Sequence, residues 1–269
     1  MRAPFVRPAL LAALTLAATS CGFPVEGRFA GPSVAERADP SRTIVLIYNH
    51  GFSRERAGTY EALVPPILQL AVDRNSDVAL FSQVRNTSRL GRTQHGDYIE
   101  SAVEQFRRRH GVPLENIILV GQSCGGWGSL QAAAFTYPGV GAVVAFAPTC
   151  HGQLPHPTEV AVARAAEIAQ LAERARFPGV IFLYENDSYY RLADWEGFEA
   201  RAAPRAPDLK IERLGRARVL EVCSRCSRDS HGAMWDGRFG EAFYASHLQP
   251  LIEGVRARIR ARAAAAGVE

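Results

Sequence analysis

Asn116-Ile-Ile-Leu-Val-Gly-Gln-Ser-Cys-Gly-Gly-Trp-Gly-Ser-Leu-Gln-Ala-Ala-Ala-Phe-Thr-Tyr-Pro138 decides the fold. It opens with Ile117–Val120, a continuous apolar run bounded by polar and glycine residues, which reads as a fully buried strand. Trp127–Tyr137 is rich in small and apolar residues and is closed by Pro138, so it reads as a helix and its stop. Between them, Gly121-Gln122-Ser123-Cys124-Gly125 matches G-x-S-x-G. A strand turning sharply into a helix puts the middle residue at a strained apex. The flanking glycines spare the neighbouring backbone a collision with Cβ. The Ser123 hydroxyl is then lifted clear of the sheet near the positive end of a helix.

Elements on either side of this stretch alternate in type. Thr43–Tyr48, Asp77–Phe81, Val140–Phe146 and Val180–Tyr184 are short apolar runs that read as strands, with Leu209–Leu214 and Arg218–Val222 as weaker candidates. Thr59–Val72 has near-helical spacing that Pro65-Pro66 must start, break or kink. Asp97–His110, Glu159–Arg176, Asp194–Ala203 and Phe239–Ala266 read as helices, and Asn86–Gln94 as a polar loop. Strands alternating with helices predict an α/β fold, a mostly parallel sheet with helices on both faces. The interval between Phe146 and Val180 has room for about one helix, so little or no cap is expected.

A serine hydroxyl needs a base, and the base needs a carboxylate to fix its tautomer. In an open parallel sheet both belong just after strand ends, in the chain order Ser, acid, His. Asp187 lies three residues past the strand ending at Tyr184, with Glu185 and Asp194 as nearby competitors. The alternative for Asp187 is a turn residue that caps the next helix. His231 lies in Asp229-Ser230-His231-Gly232, before the last helix. His151 and His156 precede the acid, His110 and His247 sit in helices, and His95 is in the polar loop. Two backbone N–H groups are required for the oxyanion. Cys124 follows the nucleophile directly, and Phe52 follows Asn49-His50-Gly51 after the first strong strand, where Asn49 and His50 would brace the loop.

Together, Tyr48-Asn49-His50-Gly51, Gly121–Gly126, Tyr184–Tyr189 and Asp229–Gly232 resemble an α/β-hydrolase, and in particular the small, capless dienelactone hydrolase-like group. The resemblance covers residues 43–260 and implies a serine hydrolase acting through an acyl-enzyme on a small ester or acyl substrate, without cofactor or metal. Dienelactone hydrolases carry cysteine as nucleophile where this chain has Ser123, so the lactone specificity does not carry over. The same triad also serves peptidases and acyltransferases, and an inactive binding protein on a hydrolase fold is the rival reading.

The 269 residues suit one large domain, with 47% hydrophobic and 22% charged residues. Lys210 is the only lysine. Beyond residue 20 the chain has 29 basic and 27 acidic side chains, a balance that does not call for a nucleic-acid partner. Residues 1–20 read as a signal peptide, with Arg2 and Arg7 ahead of apolar Ala9–Ala18. Leu16-Ala17-Ala18-Thr19-Ser20-Cys21 resembles a bacterial lipoprotein signal, which implies acylation of Cys21, a tether over 21–42 and an envelope location anchored to the membrane. The alternative is ordinary cleavage and secretion, with Cys21 free or disulfide-bonded. Export implies an oxidising compartment. Cys124, Cys150, Cys223 and Cys226 then allow three pairings, among them Cys223–Cys226 with Cys124–Cys150. Arg256, Arg258, Arg260 and Arg262 read as a solvated basic helix end.

Overall fold

The computed structural model describes residues 25–37, 39–52, 59–60, 63–86 and 94–267. Its strands are β1 (Glu26–Phe29), β2 (Ile44–Asn49), β3 (Thr59–Tyr60), β4 (Val78–Asn86), β5 (Ile117–Gln122), β6 (Ala142–Phe146), β7 (Gly179–Tyr184) and β8 (Leu209–Leu214). The helices are α1 (Pro66–Arg74), α2 (Gln94–His110), α3 (Cys124–Gln131), α4 (Thr158–Arg174), α5 (Phe198–Ala202), α6 (Arg216–Val222), α7 (Gly237–Phe243) and α8 (Gln249–Ala265). The sheet runs β1-β4-β2-β5-β6-β7-β8, with β3 beside β4. Strands from β4 to β8 pair in parallel, and β1 is antiparallel to β4.

Every residue of β2, β5, β6 and β7 is buried. Alternate side chains of a strand point to opposite faces, so burial of all of them means that helices cover both faces. The chain leaves β2 for β4 on one side and returns to β5 on the other. The order therefore reverses between β2 and β5, and a crevice opens at their carboxyl ends. Asn49 pairs with Gly121 there, which sets Gly51 and Ser123 side by side.

Several sequence expectations need correction. The tether over 21–42 is part of the fold from residue 26. Glu26–Phe29 pairs with Val84–Phe81, Val34 is buried, and the Arg37 guanidinium donates to the carbonyls of Ser76 and Val78. The signal is weak because β1 has only four residues, three of them exposed, and Phe29 alone packs on Phe81 and Phe106 at ring distances of 5.4 and 6.0 Å. Arg218–Val222 is helical within α6, since Val219 and Val222, three apart, are its buried residues. Asp194–Ala203 splits into a 3-10 turn and α5, because Gly197 takes φ 71° between them. The long C-terminal helix divides into α7, a π turn over Tyr244–Leu248, and α8 with Pro250 in its first turn. β4 is longer than the apolar run suggested, with the mostly polar Ser82–Asn86 paired to neighbouring strands. Residues 87–93 of the expected polar loop lie outside the described residues, as do the signal segment and Cys21.

The basic end of α8 was expected to be solvated, but Arg256, Arg258 and Arg262 bind the fold. Arg256 pairs with Asp77 at 2.6 Å, ahead of β4. Arg258 donates to the Gly141 carbonyl at 2.6 Å, ahead of β6. Arg262 pairs with Glu115 and donates to the Ser41 carbonyl at 2.8 Å. These partners precede strands, so α8 fastens the end of the sheet opposite the crevice. No described helix is long and apolar enough to cross a membrane.

Candidate active site

Ser123 sits between β5 and α3 with φ 54° and ψ −124°, a backbone conformation that L-residues rarely adopt. Its surroundings explain why the chain accepts it. A Cβ on Gly121 would stand 2.5 Å from Gly126 N, and one on Gly125 would stand 2.6 Å from the Asn49 carbonyl carbon and from His50 O. Glycines at both places let strand, turn and helix close on one another. The Ser123 N–H donates to Phe146 O at 3.0 Å, and Ser123 O accepts from Trp127 N–H at 2.9 Å and Thr149 N–H at 3.3 Å. The apex is thus held by its own helix and by the loop after β6.

Asp187 and His231, 44 residues apart in sequence, meet here. His231 Nδ1 lies 2.8 Å from Asp187 Oδ2. A carboxylate only accepts, so Nδ1 carries the hydrogen and Nε2 is left as the basic nitrogen. Asp187 Oδ1 accepts the Tyr189 N–H at 2.8 Å, so both oxygens are engaged, and its side chain is fully buried. Gln122 Nε2 donates to the His231 carbonyl at 3.3 Å, which ties the histidine loop to the residue preceding Ser123. The competing acids have other roles. Glu185 accepts the Arg216 N–H at 2.6 Å at the start of α6, and Asp194 pairs with Arg164 at 3.3 Å.

Sequence reasoning missed the residues that hold this pair. Asp229 Oδ1 accepts the N–H groups of His231 at 3.0 Å and Ser188 at 3.2 Å, and its Oδ2 accepts the Ser188 hydroxyl at 2.7 Å. Ser230 Oγ donates to Glu185 O at 2.6 Å. Asp229 and Ser230 therefore clamp the histidine loop onto the acid loop. Tyr189 lies over the His231 ring, with centroids 4.3 Å apart. The buried phenols of Tyr184 and Tyr190 titrate well above the usual tyrosine range, because of burial first and the Asp187 charge second. The adjacency of Asp229 and Ser230 to His231 was the one available signal.

On the opposite side, Asn49 Nδ2 bonds to Ile47 O at 3.3 Å and Val120 O at 3.5 Å, and His50 Nδ1 contacts Gly51 O at 2.8 Å. These contacts brace the loop as the sequence suggested. A Cβ on Gly51 would stand 2.7 Å from Ser123 Cβ, so this backbone runs directly past the serine. Phe52 follows, with its side chain exposed. Cys124 is the first residue of α3, where an amide N–H has no acceptor within the helix.

Cys124 is disulfide-bonded to Cys150, and Cys223 to Cys226. Thr149 and His151 flank Cys150, and both bind α4. Arg164, only 2% exposed, donates through Nη1 to Thr149 Oγ1 at 2.8 Å and His151 Nδ1 at 3.3 Å. His151 Nδ1 also faces the Cys150 N–H at 3.4 Å, so its hydrogen is on Nε2, which lies 3.1 Å from Glu167 Oε2. Burial lowers the Arg164 pKa and the Asp194 charge opposes that shift. Its Nη2 has no hydrogen-bond partner among the described residues, while its Cζ stands 5.7 Å from the rings of both Trp127 and Tyr190. A cavity of about 260 Å³ lies beyond Arg164, lined by Leu154, Pro155, Ile168 and Arg191 among others, and none of Ser123, Asp187 and His231 borders it.

No family model matches the sequence, and no curated protein does. Solved structures match it in three dimensions. The chain is similar to a monoacylglycerol lipase from Paleococcus ferrophilus, with TM-score 0.54 and 12% identity over 86% of this chain and 100% of that one. It is similar to the ferulic-acid-bound esterase Est1E from Butyrivibrio proteoclasticus, with TM-score 0.52 and 14% identity over 89% and 96%. Esterase 2 from Thermogutta terrifontis matches with TM-score 0.50 and 13% identity over 82% and 90%. At these identities the likeness is one of architecture, and it agrees with the parallel sheet and the strand–serine–helix turn described above: the chain has the α/β-hydrolase fold.

Proposed function

We propose that this protein is an exported serine hydrolase that cleaves a carboxylic ester through an acyl-enzyme on Ser123. His231 Nε2 takes the hydroxyl proton as Ser123 Oγ attacks the carbonyl, and returns it to the leaving alcohol. Asp187 holds the tautomer and stabilises the imidazolium. The N–H groups of Phe52 and Cys124 receive the oxyanion. Water then attacks the acyl-enzyme by the same route in reverse. The observations that carry this reading are the His231–Asp187 hydrogen bond, the tie from Gln122, the residue before Ser123, to the His231 carbonyl, and the Ser123 backbone at φ 54°. Between β6 and β7 there is one helix, α4, which supports an open, capless site of the dienelactone hydrolase-like kind.

Export through residues 1–20 and acylation of Cys21 belong to the same proposal, and two disulfides suit an oxidising compartment. Recovery of a diacylated N-terminal peptide from the membrane fraction, lost in Cys21→Ala, is the expected result; an unmodified secreted chain would refute it. For the chemistry, we expect turnover of a p-nitrophenyl ester series from acetate to long chains, and loss of that turnover in Ser123→Ala with the fold retained. A serine-reactive phosphonate should label the wild type only. Unchanged turnover in Ser123→Ala would exclude this mechanism, and a wild type that neither turns over nor takes the label would favour a binding role.

A further inference from the structure

The Cys124–Cys150 disulfide joins the residue after Ser123 to the loop after β6. That loop is not a passive partner. It donates Thr149 N–H to Ser123 O, and Thr149 and His151 on either side of Cys150 are bound to buried Arg164 of α4. His151 is bound in turn to Glu167 of the same helix. The disulfide therefore carries the rigidity of α4 to the first turn of α3, where Cys124 presents its N–H. Apart from it, the hydrogen bonds that the described residues of β6 and its loop make to this turn end on the neighbouring Ser123.

We propose that Cys150 is a positioning residue for the reaction, and that the Cys124–Cys150 disulfide must be oxidised for full turnover. The inference rests on the hydrolase reading above, with Cys124 N–H as an oxyanion donor. Cys150 is partly exposed whereas Cys124 is buried, so a reductant reaches the bond from the Cys150 end. A dithiol reductant reverses it. One of its thiolates attacks Cys150 Sγ, the Cys124 thiolate leaves, and the second thiol closes the reductant into a cyclic disulfide. Two electrons and two protons pass from the dithiol to the two cysteines. Activity then depends on the redox state of the envelope.

The effect belongs in kcat rather than KM, because an oxyanion donor acts in the transition state. Loss of one such donor costs about 100-fold or more in kcat, and misplacement of one that is still present should cost about tenfold. The test is steady-state ester hydrolysis by the oxidised protein, the dithiothreitol-reduced protein and Cys150→Ser, at a temperature where circular dichroism shows all three folded. Alkylation and mass spectrometry give the redox state of each pair. We expect kcat and the rate of phosphonate labelling of Ser123 to fall about tenfold in the reduced protein and in Cys150→Ser, with KM within about twofold. Reoxidation should restore the wild type and leave Cys150→Ser unchanged. The double variant Cys223→Ser/Cys226→Ser should keep its sensitivity to dithiothreitol, which assigns the effect to the other pair.

Oxidised protein that is active and remains equally active after verified reduction of Cys124–Cys150 would overturn the inference alone. So would a change confined to melting temperature. Oxidised protein that neither hydrolyses esters nor takes the label would overturn the hydrolase reading, and this inference with it.

Discussion

Replacing Gly125 with alanine tests the logic of the turn directly. The new Cβ would stand 2.6 Å from the Asn49 carbonyl carbon and from His50 O, and closer still to Asn49 O. All three atoms are backbone, so no flexible side chain can give way. Ordinary contact begins at 3.4 Å, so the Asn49–Gly51 loop and α3 must part by about 0.8 Å or more. Alanine returns up to about 1 kcal/mol in helix propensity, against overpacking of about 1–3 kcal/mol, so the net loss of stability is about 1–2 kcal/mol. The larger effect is on turnover, because this loop and the start of α3 carry both proposed oxyanion donors. A misplacement on the order of 1 Å costs about 100-fold in kcat. Urea denaturation and p-nitrophenyl ester kinetics measure the two quantities separately. A variant with wild-type stability and kcat within about threefold would show that the loop and helix do not meet as tightly as the reasoning requires.

Three further outcomes are expected. Asp187→Asn should fold and lose about 10⁴-fold in kcat, since an amide does not hold His231 Nδ1 as the donor; a loss under about tenfold would remove Asp187 from its role. Arg256→Met should lower stability to urea by about 1–2 kcal/mol, because it deletes the paired contacts to Asp77. Part of that difference should vanish in 1 M salt (about a 3 Å screening length), and an unaffected midpoint would refute the view that α8 fastens the sheet end. Gly254→Ala lies within α8, where, among the described residues, the added Cβ meets only Arg258 Nη1 at 3.8 Å. It should gain about 0.5–1 kcal/mol without changing ester turnover, and a destabilised variant would contradict the open space there.

Some of this protein was legible in local sequence. The runs IVLIY, IILV, AVVAF and VIFLY are apolar at every position, which only a strand covered on both faces tolerates, and all four lie in the sheet. Gly121 and Gly125 around Ser123 announced a turn too tight for side chains, and the structure puts backbone where their Cβ atoms would be. Asp187 was found by its place after a strand end and His231 by its place in the order Ser, acid, His before the last helix, and the structure brings them to hydrogen-bond distance.

Tertiary structure decided the rest, because each remaining feature depends on a partner distant in sequence. Glu26–Phe29 has no strand character of its own and becomes β1 at the free edge of β4. Arg218–Val222 is too short for period alone to separate strand from helix, and packing settles it as helix. The four cysteines allow three pairings, and only the approach of the β6 loop to α3 selects Cys124–Cys150. Asp229 bonds to Ser188 and His231, and buried Arg164 to Thr149, His151 and Asp194. Apart from the adjacency of Asp229 to His231, no local pattern marks them out, because a charged side chain acquires its task from what folding sets around it. Local pattern thus determined which segments bury which faces and where the chain must turn; the choice of long-range partners, and with it the support of the site, arose only when those faces closed.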